Sequence, residues 1–196
     1  ALQFGAGNLG ARTGLPHGDD EIGRLARTLD ETADAIEGRE RKLARANRAL
    51  RTLSAGNEAL VRAASEEELL QAVTRNIVEQ GGYCMARVSY ADDNPEKSLR
   101  SVAWVGAGED FFPRERRTWA DTKEGQVPIA RTVRSGTPQI CRDIADDPGF
   151  APWRESALSR GYASNIGLPL LDGVRCFGGL SIYSAEKDAF DDDEAR

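Results

Sequence analysis

Three cysteines, Cys84, Cys141 and Cys176, and a single histidine, His17, are the residues of this chain best suited to nucleophilic, redox or metal chemistry. Their placing argues against most of it. One histidine, remote from every cysteine, leaves no histidine triad and no ordinary zinc site. Three widely spaced thiols are odd in number and read as reduced thiols rather than a disulfide frame. Cys84 and Cys176 stand in apolar segments, "YCMARVSYA" and "VRCFGGLSIYS", where a thiol is normally a small buried hydrophobe. Cys141 precedes Arg142, whose charge would lower the thiol pKa and favour redox sensing. No glycine-rich loop is built to cradle phosphate, and "GYASNIG" lacks a G-x-S-x-G elbow. Catalysis within these residues is not expected, and neither is a cofactor or a metal.

The chain has 196 residues, a formal net charge of −6, 40% apolar and 30% charged residues. That is enough apolar material for one real core, with charge to spare for a solvated helix. The acidic balance argues against nucleic-acid binding. No apolar run is long enough to cross a bilayer, and there is no signal peptide. Ala1 is not an initiator methionine, and the acidic run "DDDE" is followed by Arg196 with no closing element, so the sequence reads as a piece of a longer protein.

Any sensing or binding chemistry must be positioned by two kinds of element. The first is a seam of sevens. Ile22, Leu29, Ile36, Leu43, Leu50 and Asn57 fall seven apart, and Leu25, Thr32, Arg39, Ala46, Leu53 and Leu60 follow at an offset of three. This is the a/d pattern of a coiled coil. So narrow a stripe stabilises nothing unless a partner helix covers it, and a second copy of the chain is the simplest partner. Asn57 at an a position lowers stability but fixes register. The stretch 39–51 is basic, yet the seam runs through it, and Arg41, Arg45, Arg48 and Arg51 occupy outer positions; it is a solvated face rather than a DNA-gripping fork. The helix opens at "DDEIGRL", with Asp19 or Asp20 as N-cap, Glu21 favouring the positive helix end, and Gly23 clearing space for a close neighbour.

The second kind of element is a globular α+β unit. "ASEEELLQAVTRNIVEQGG" is a helix with a Ser65–Glu68 capping box, a buried face of Leu69, Leu70, Val73, Ile77 and Val78, and a glycine stop. The Ser65 cap implies that the long helix breaks before it. Strands are predicted over 83–91 and 99–106, then a short helix with Ile129 and Val133 inward, and a strand from Pro138 to Cys141. A helix started by Pro152 and ended by Gly161 precedes two strands joined at Asp172–Gly173. "FDDDEA" starts a last helix. The order α-β-β-α-β-α-β-β-α makes an antiparallel sheet flanked by helices.

Two resemblances follow from these segments. "ALQFGAGNLGAR" and "DEIGRLARTLDETADAI" resemble the end of the first helix, the connector and the second helix of a HAMP domain. "RTVRSGTPQICRDIADDPGFAPWRESALSRGYASNIGLPLL" and "RCFGGLSIYSAEKDAFDDDE" resemble a GAF domain, a small-molecule sensor module. The first likeness implies a partial HAMP domain over 1–36 and a signalling coiled-coil helix over 37–64, dimeric and parallel. The second implies a GAF-like sensory domain over 65–196 with its last helix cut short. Together they imply the cytoplasmic portion of an inner-membrane sensor, touching the membrane only through an upstream segment. The output, a histidine kinase of a two-component system or an enzyme of cyclic-di-GMP signalling, lies outside these residues.

By position, the GAF likeness puts Trp119, Asp121, Cys141, Asp143, Phe150, Trp153, Tyr162 and Ser164 around a pocket for an unknown small molecule. Trp104 is read as core. "AEKDAFDDDE" keeps Lys187 and Phe190 but lacks the Asn of cyclic-nucleotide binders, and no Cys-His pair suits a bilin. Two other readings stand beside the sensor: a structural dimerisation module with a self-filled pocket, and a thiol enzyme like the free methionine sulfoxide reductases built on this fold, whose cysteine spacing is not found here.

Overall fold

The computed structural model describes residues 12–18, 20–106 and 117–190. The chain divides into two units, residues 1–50 and 51–196.

The first unit is built on helix α1 (Glu21–Arg62). Asp20 is its N-cap: one carboxylate oxygen accepts from the Gly23 N–H at 2.7 Å. Asp19 lies outside the described residues. Residues 12–18 are tied along the helix by polar contacts. The Thr13 N–H and hydroxyl donate to the two Asp30 oxygens at 2.7 and 2.9 Å, and His17 Nε2 sits 2.9 Å from the same carboxylate. Arg12 reaches Asp34 and, at 2.8 Å, Glu37. Gly23 meets the expectation of a close neighbour: a Cβ there would lie 2.4 Å from the Gly18 backbone. Gly23, Ala26 and Ala33 are buried, so this row of small residues is the face the unit covers itself.

The seam of sevens lies on the adjoining face. Ile22, Leu25, Leu29, Leu43 and Leu50 are 48–66% exposed, and Ile36 is half-buried. The seam positions Leu53, Asn57 and Leu60 fall outside the described side chains. The helix ends at Arg62, before the break expected at Ser65.

In the second unit, helix α2 (Glu66–Glu79) begins with Ser65 Oγ accepting from the Glu68 N–H at 3.2 Å. The returning arm of the box lands one residue early, Glu68 accepting from the Ala64 N–H at 2.9 Å. Five antiparallel strands follow: β1 (Met85–Ala91), β2 (Leu99–Gly106), β3 (Gln139–Cys141), β4 (Ser164–Asp172) and β5 (Arg175–Ser184). They are ordered β2-β1-β5-β4-β3. Helices α3 (Pro128–Ser135) and α4 (Arg154–Ser159) connect them. The strand expected over 83–91 starts two residues later, and the one expected over 99–106 matches the observed bounds. Helix α4 begins at Arg154 rather than at Pro152, because the Trp153 N–H first closes a turn onto the Phe150 carbonyl at 2.8 Å. The final helix lies beyond the described residues.

Each face of the sheet carries its own core. One face packs Ala86, Ile166 and Ile182 against Ile77 of α2 and Phe190, whose ring stacks on Tyr83 at 5.4 Å. The other packs Met85 and Tyr183 beneath Ile129 and Val133 of α3, with Phe150, Trp153 and Tyr162 closing over them. Burying side chains of this size removes apolar area from water at about 1.5–3 kcal/mol each, and two such layers hold the sheet. No described helix is long and apolar enough to cross a membrane.

Candidate functional site

Register fixes which residues share the second face. Met85 pairs with Gly106 and Tyr183, Arg87 with Trp104 and Ser181, Ser89 with Ser101 and Gly179. Cross-strand partners project to the same side. The face is therefore apolar at the Met85–Tyr183 end and polar along Arg87, Ser89 and Ser181. All three polar residues are buried, Arg87 at 5% exposure.

Above them the covering layer leaves space. An inner cavity of about 20 Å³, room for a water molecule, is walled by Arg87, Ser89, Ser181 and Tyr183 below and by Glu124, Val127, Ile129 and Trp153 above, with Leu99, Arg117 and Thr118 at its side. An outer cleft of about 410 Å³ shares Arg87, Leu99 and Arg117 with it and adds Asp92, Ser98, Arg100, Ser101 and Trp104. That volume is in the range of small-molecule sites.

The roof is a turn held from several directions. Arg134 of α3 donates through Nη1 to the carbonyls of Trp119, Ala120 and Gly125 at 2.9, 3.1 and 2.7 Å. The Trp153 indole donates to the Glu124 carbonyl at 3.2 Å. A Cβ at Gly125 would stand 2.0 Å from the Ala120 oxygen, so the turn closes this tightly only with glycine. These contacts set Thr118 and Glu124 over the sheet.

Of the eight residues expected around a pocket, Trp153 lines the inner cavity. Phe150 and Tyr162 are packed against Tyr183, with ring centroids at 6.4 and 4.9 Å, in the core beside it. Trp119 is half-buried; its indole donates to the Asp92 carbonyl at 3.1 Å, and Lys97 lies over its ring at 4.8 Å. Asp121 is exposed and accepts from Gln126 at 2.8 Å, outside both cavities. Asp143 caps the Ala145 N–H and pairs with Lys187 at 2.7 Å; that bond holds its carboxyl below the usual range. Ser164 is buried and donates to the Glu186 carbonyl at 2.7 Å. Cys141 is 1% exposed. Burial, with the nearby Asp147 carboxylate, pushes its thiol pKa up. The neighbouring Arg142 turns instead to Asp188 and the Phe190 carbonyl, at 2.7 and 3.1 Å. The lowered pKa expected for Cys141 is thus reversed. Among the described residues, no cysteine lines either cavity. Burial also raises the pKa of Tyr183, which stays a neutral phenol.

The residues that sequence reasoning missed are Arg87, Ser89, Arg117, Thr118, Glu124 and Ser181. One signal was present: an arginine in the middle of the otherwise apolar strand "MARVSYA". Trp104, read as core, is half-buried and lines the outer cleft.

Residues 63–196 match the family model of the GAF domain. Solved structures share the fold. The GAF domain of a phosphoenolpyruvate-protein phosphotransferase (ptsP) from Coxiella burnetii aligns with a TM-score of 0.60 and 17% identity, over 75% of this chain and 85% of that one. The free methionine-R-sulfoxide reductase of Neisseria meningitidis, solved with its substrate, aligns with a TM-score of 0.58 and 16% identity, over 74% and 77%. The A. aeolicus nlh2 GAF domain in an inactive state aligns with a TM-score of 0.51 and 17% identity, over 74% and 83%. No curated protein matches the sequence. At these identities the solved structures speak for the fold alone. The family match, covering the five-stranded sheet and both of its covering layers, means that this chain belongs to the GAF domain family.

Proposed function

We propose that this chain is the sensory and regulatory part of a signal-transduction protein. In this reading the GAF domain binds a small molecule over the Arg87 face of its sheet. Residues 1–36 act as a HAMP-type relay and 37–64 as a signalling helix, paired in parallel with a second copy. The membrane is reached only through an upstream segment, and the output, a histidine kinase or a cyclic-di-GMP enzyme, lies downstream on the cytoplasmic side. Ligand and upstream input act by shifting the population of two packings of the seam.

The observation that carries this reading is the exposed row Ile22, Leu25, Leu29, Leu43 and Leu50 on α1. The connector covers a different face of the same helix, through Gly23, Asp30 and Arg12. An apolar row that its own unit leaves open is the mark of a partner surface, and its spacing suits a parallel helix. The absence of thiols from the described cavity walls supports binding rather than thiol turnover.

The test is the solution mass of the chain and of a Leu43→Asp/Leu50→Asp variant. A dimeric parent and a folded monomeric variant are expected. A monomeric parent overturns the relay. Cysteine-dependent reduction of free methionine sulfoxide by the chain would replace the sensory reading with the enzymatic one.

A further inference from the structure

We infer that the cleft over the Arg87 face takes an anionic small molecule, one carrying carboxylate or phosphate groups, gripped by Arg87 and Arg117. The inference rests on the sensory reading above and names the chemistry of its ligand. Arg87 is 5% exposed in the central part of a sheet whose opposite face is apolar. A guanidinium is costly to bury, and such a position is normally filled by an apolar side chain. Here it belongs to the walls of both the inner cavity and the outer cleft. Arg117 lines both as well, and its Nη1 donates to Ser101 Oγ at 2.9 Å.

The other charges of the two cavities are few. Arg100 and Asp92 are paired with each other at 3.3 Å. Among the described residues, Glu124 is the one carboxylate of the inner wall. Among the described residues, the balance across both cavities is three arginines, Arg87, Arg100 and Arg117, against Asp92 and Glu124, in a chain whose overall charge is −6. A local excess of cation against an acidic background is selective for an anion, because the rest of the surface repels it. The planar fork of arginine matches carboxylate and phosphate oxygens alike. The serines at 89, 98, 101 and 181 add hydroxyl donors.

The experiment measures the melting temperature of the 196-residue chain with four probes at about 10 mM: succinate, inorganic pyrophosphate, neutral succinamide and 1,4-diaminobutane. It is repeated on Arg87→Met, Arg117→Gln and, as a control, Arg175→Gln in the exposed β4–β5 hairpin. One or both anions should raise the parent's melting temperature by at least about 3 °C. Arg117→Gln should remove most of that shift, Arg175→Gln none. Arg87→Met should abolish it; should that buried variant not fold, Arg117→Gln carries the test. Which anion acts separates a carboxylate from a phosphate ligand. An equal shift in all variants is a general salt effect and overturns the proposal. A shift with succinamide or diaminobutane alone overturns the anion and leaves the sensory reading standing. Silence from all four overturns the proposal, and the sensory reading then rests on the solution-mass experiment.

Discussion

The two units close their apolar surface in opposite ways. The GAF unit buries both faces of its sheet with its own helices and loops, and the large aromatic side chains Phe150, Tyr162, Tyr183 and Phe190 are all at or below 2% exposure. Among its described residues, the N-terminal unit buries small ones, Gly23, Ala26 and Ala33, under a connector held mainly by charged and hydroxyl contacts. Ile22, Leu25, Leu29, Leu43 and Leu50 stay in solvent. Leucines that count for nothing in one unit would each contribute about 1.5–3 kcal/mol if covered as those of the other are. In the proposed reading the first unit depends for its stability on what pairs with it, while the second depends on its own packing. In that reading a signal is easier to carry in the former, where the proposed packings of the seam need differ by only a few kcal/mol.

The largest effect that sharpens this contrast is in the GAF core. Phe150→Ala removes a fully buried ring that meets Tyr183 edge-on. The expected loss is about 3–5 kcal/mol, read as a lower denaturation midpoint with an unchanged slope. The solution mass should not change, since the ring is remote from the seam in sequence and buried in its own unit. A changed solution mass in Phe150→Ala would mean that the two regions are not independent, and the contrast would break.

A smaller effect is expected at the roof. Arg134→Met keeps the aliphatic stem but leaves the Trp119, Ala120 and Gly125 carbonyls without their shared donor. About 1–3 kcal/mol should be lost. The turn that carries Thr118 and Glu124 should loosen before the sheet does, and hydrogen exchange at Gly125 would show it, since that N–H bonds within the turn to the Thr122 carbonyl at 3.1 Å. Uniform exchange across the unit would instead make Arg134 a general support of the fold.

The fold was legible in the sequence because its signals are local. Gly81–Gly82, Pro138 and Asp172–Gly173 punctuate the elements, and the Ser65 box marks a helix start whatever lies elsewhere. The site was only partly legible. Trp153 was placed at the pocket by the GAF likeness. Arg87 was missed because β1 is a central strand buried on both sides, with five buried residues in succession, so no alternation of polar and apolar residues tells its faces apart. Its cavity-facing role comes from pairing with Ser181, 94 positions away in the chain. Likewise the fate of Cys141 depended on its burial and then on Asp147, while Arg142 turned to Asp188 instead, none of which sequence proximity settles. In α1 the seven-residue period and the open space at Gly23 were plain in the sequence, while the burial of Ala26 and Ala33 beside it was not, because small residues carry little periodic signal.

The smallest effect is a pH step confined to the N-terminal unit. Asp30 accepts from the Thr13 N–H and hydroxyl and faces His17 Nε2 at 2.9 Å. The Thr13 N–H, then the His17 contact, lower its pKa from 3.8 to about 2. A carboxyl with a folded pKa below its unfolded one stabilises at high pH and loses that contribution as the proton binds. The connector should therefore be held fully above about pH 4 and released progressively toward pH 2. The readout is the amide exchange or chemical shift of residues 13–17 across that window. The GAF core, held by apolar burial, should show no matching step at Phe150 or Tyr183. Asp30→Asn keeps an acceptor for Thr13 but cannot titrate, so its connector signals should be flat from pH 4 to pH 2. If the variant shows the same step, the acid response belongs to the Arg12 contacts with Asp34 and Glu37, and the connector is held by charge pairs rather than by the Thr13–Asp30–His17 cluster.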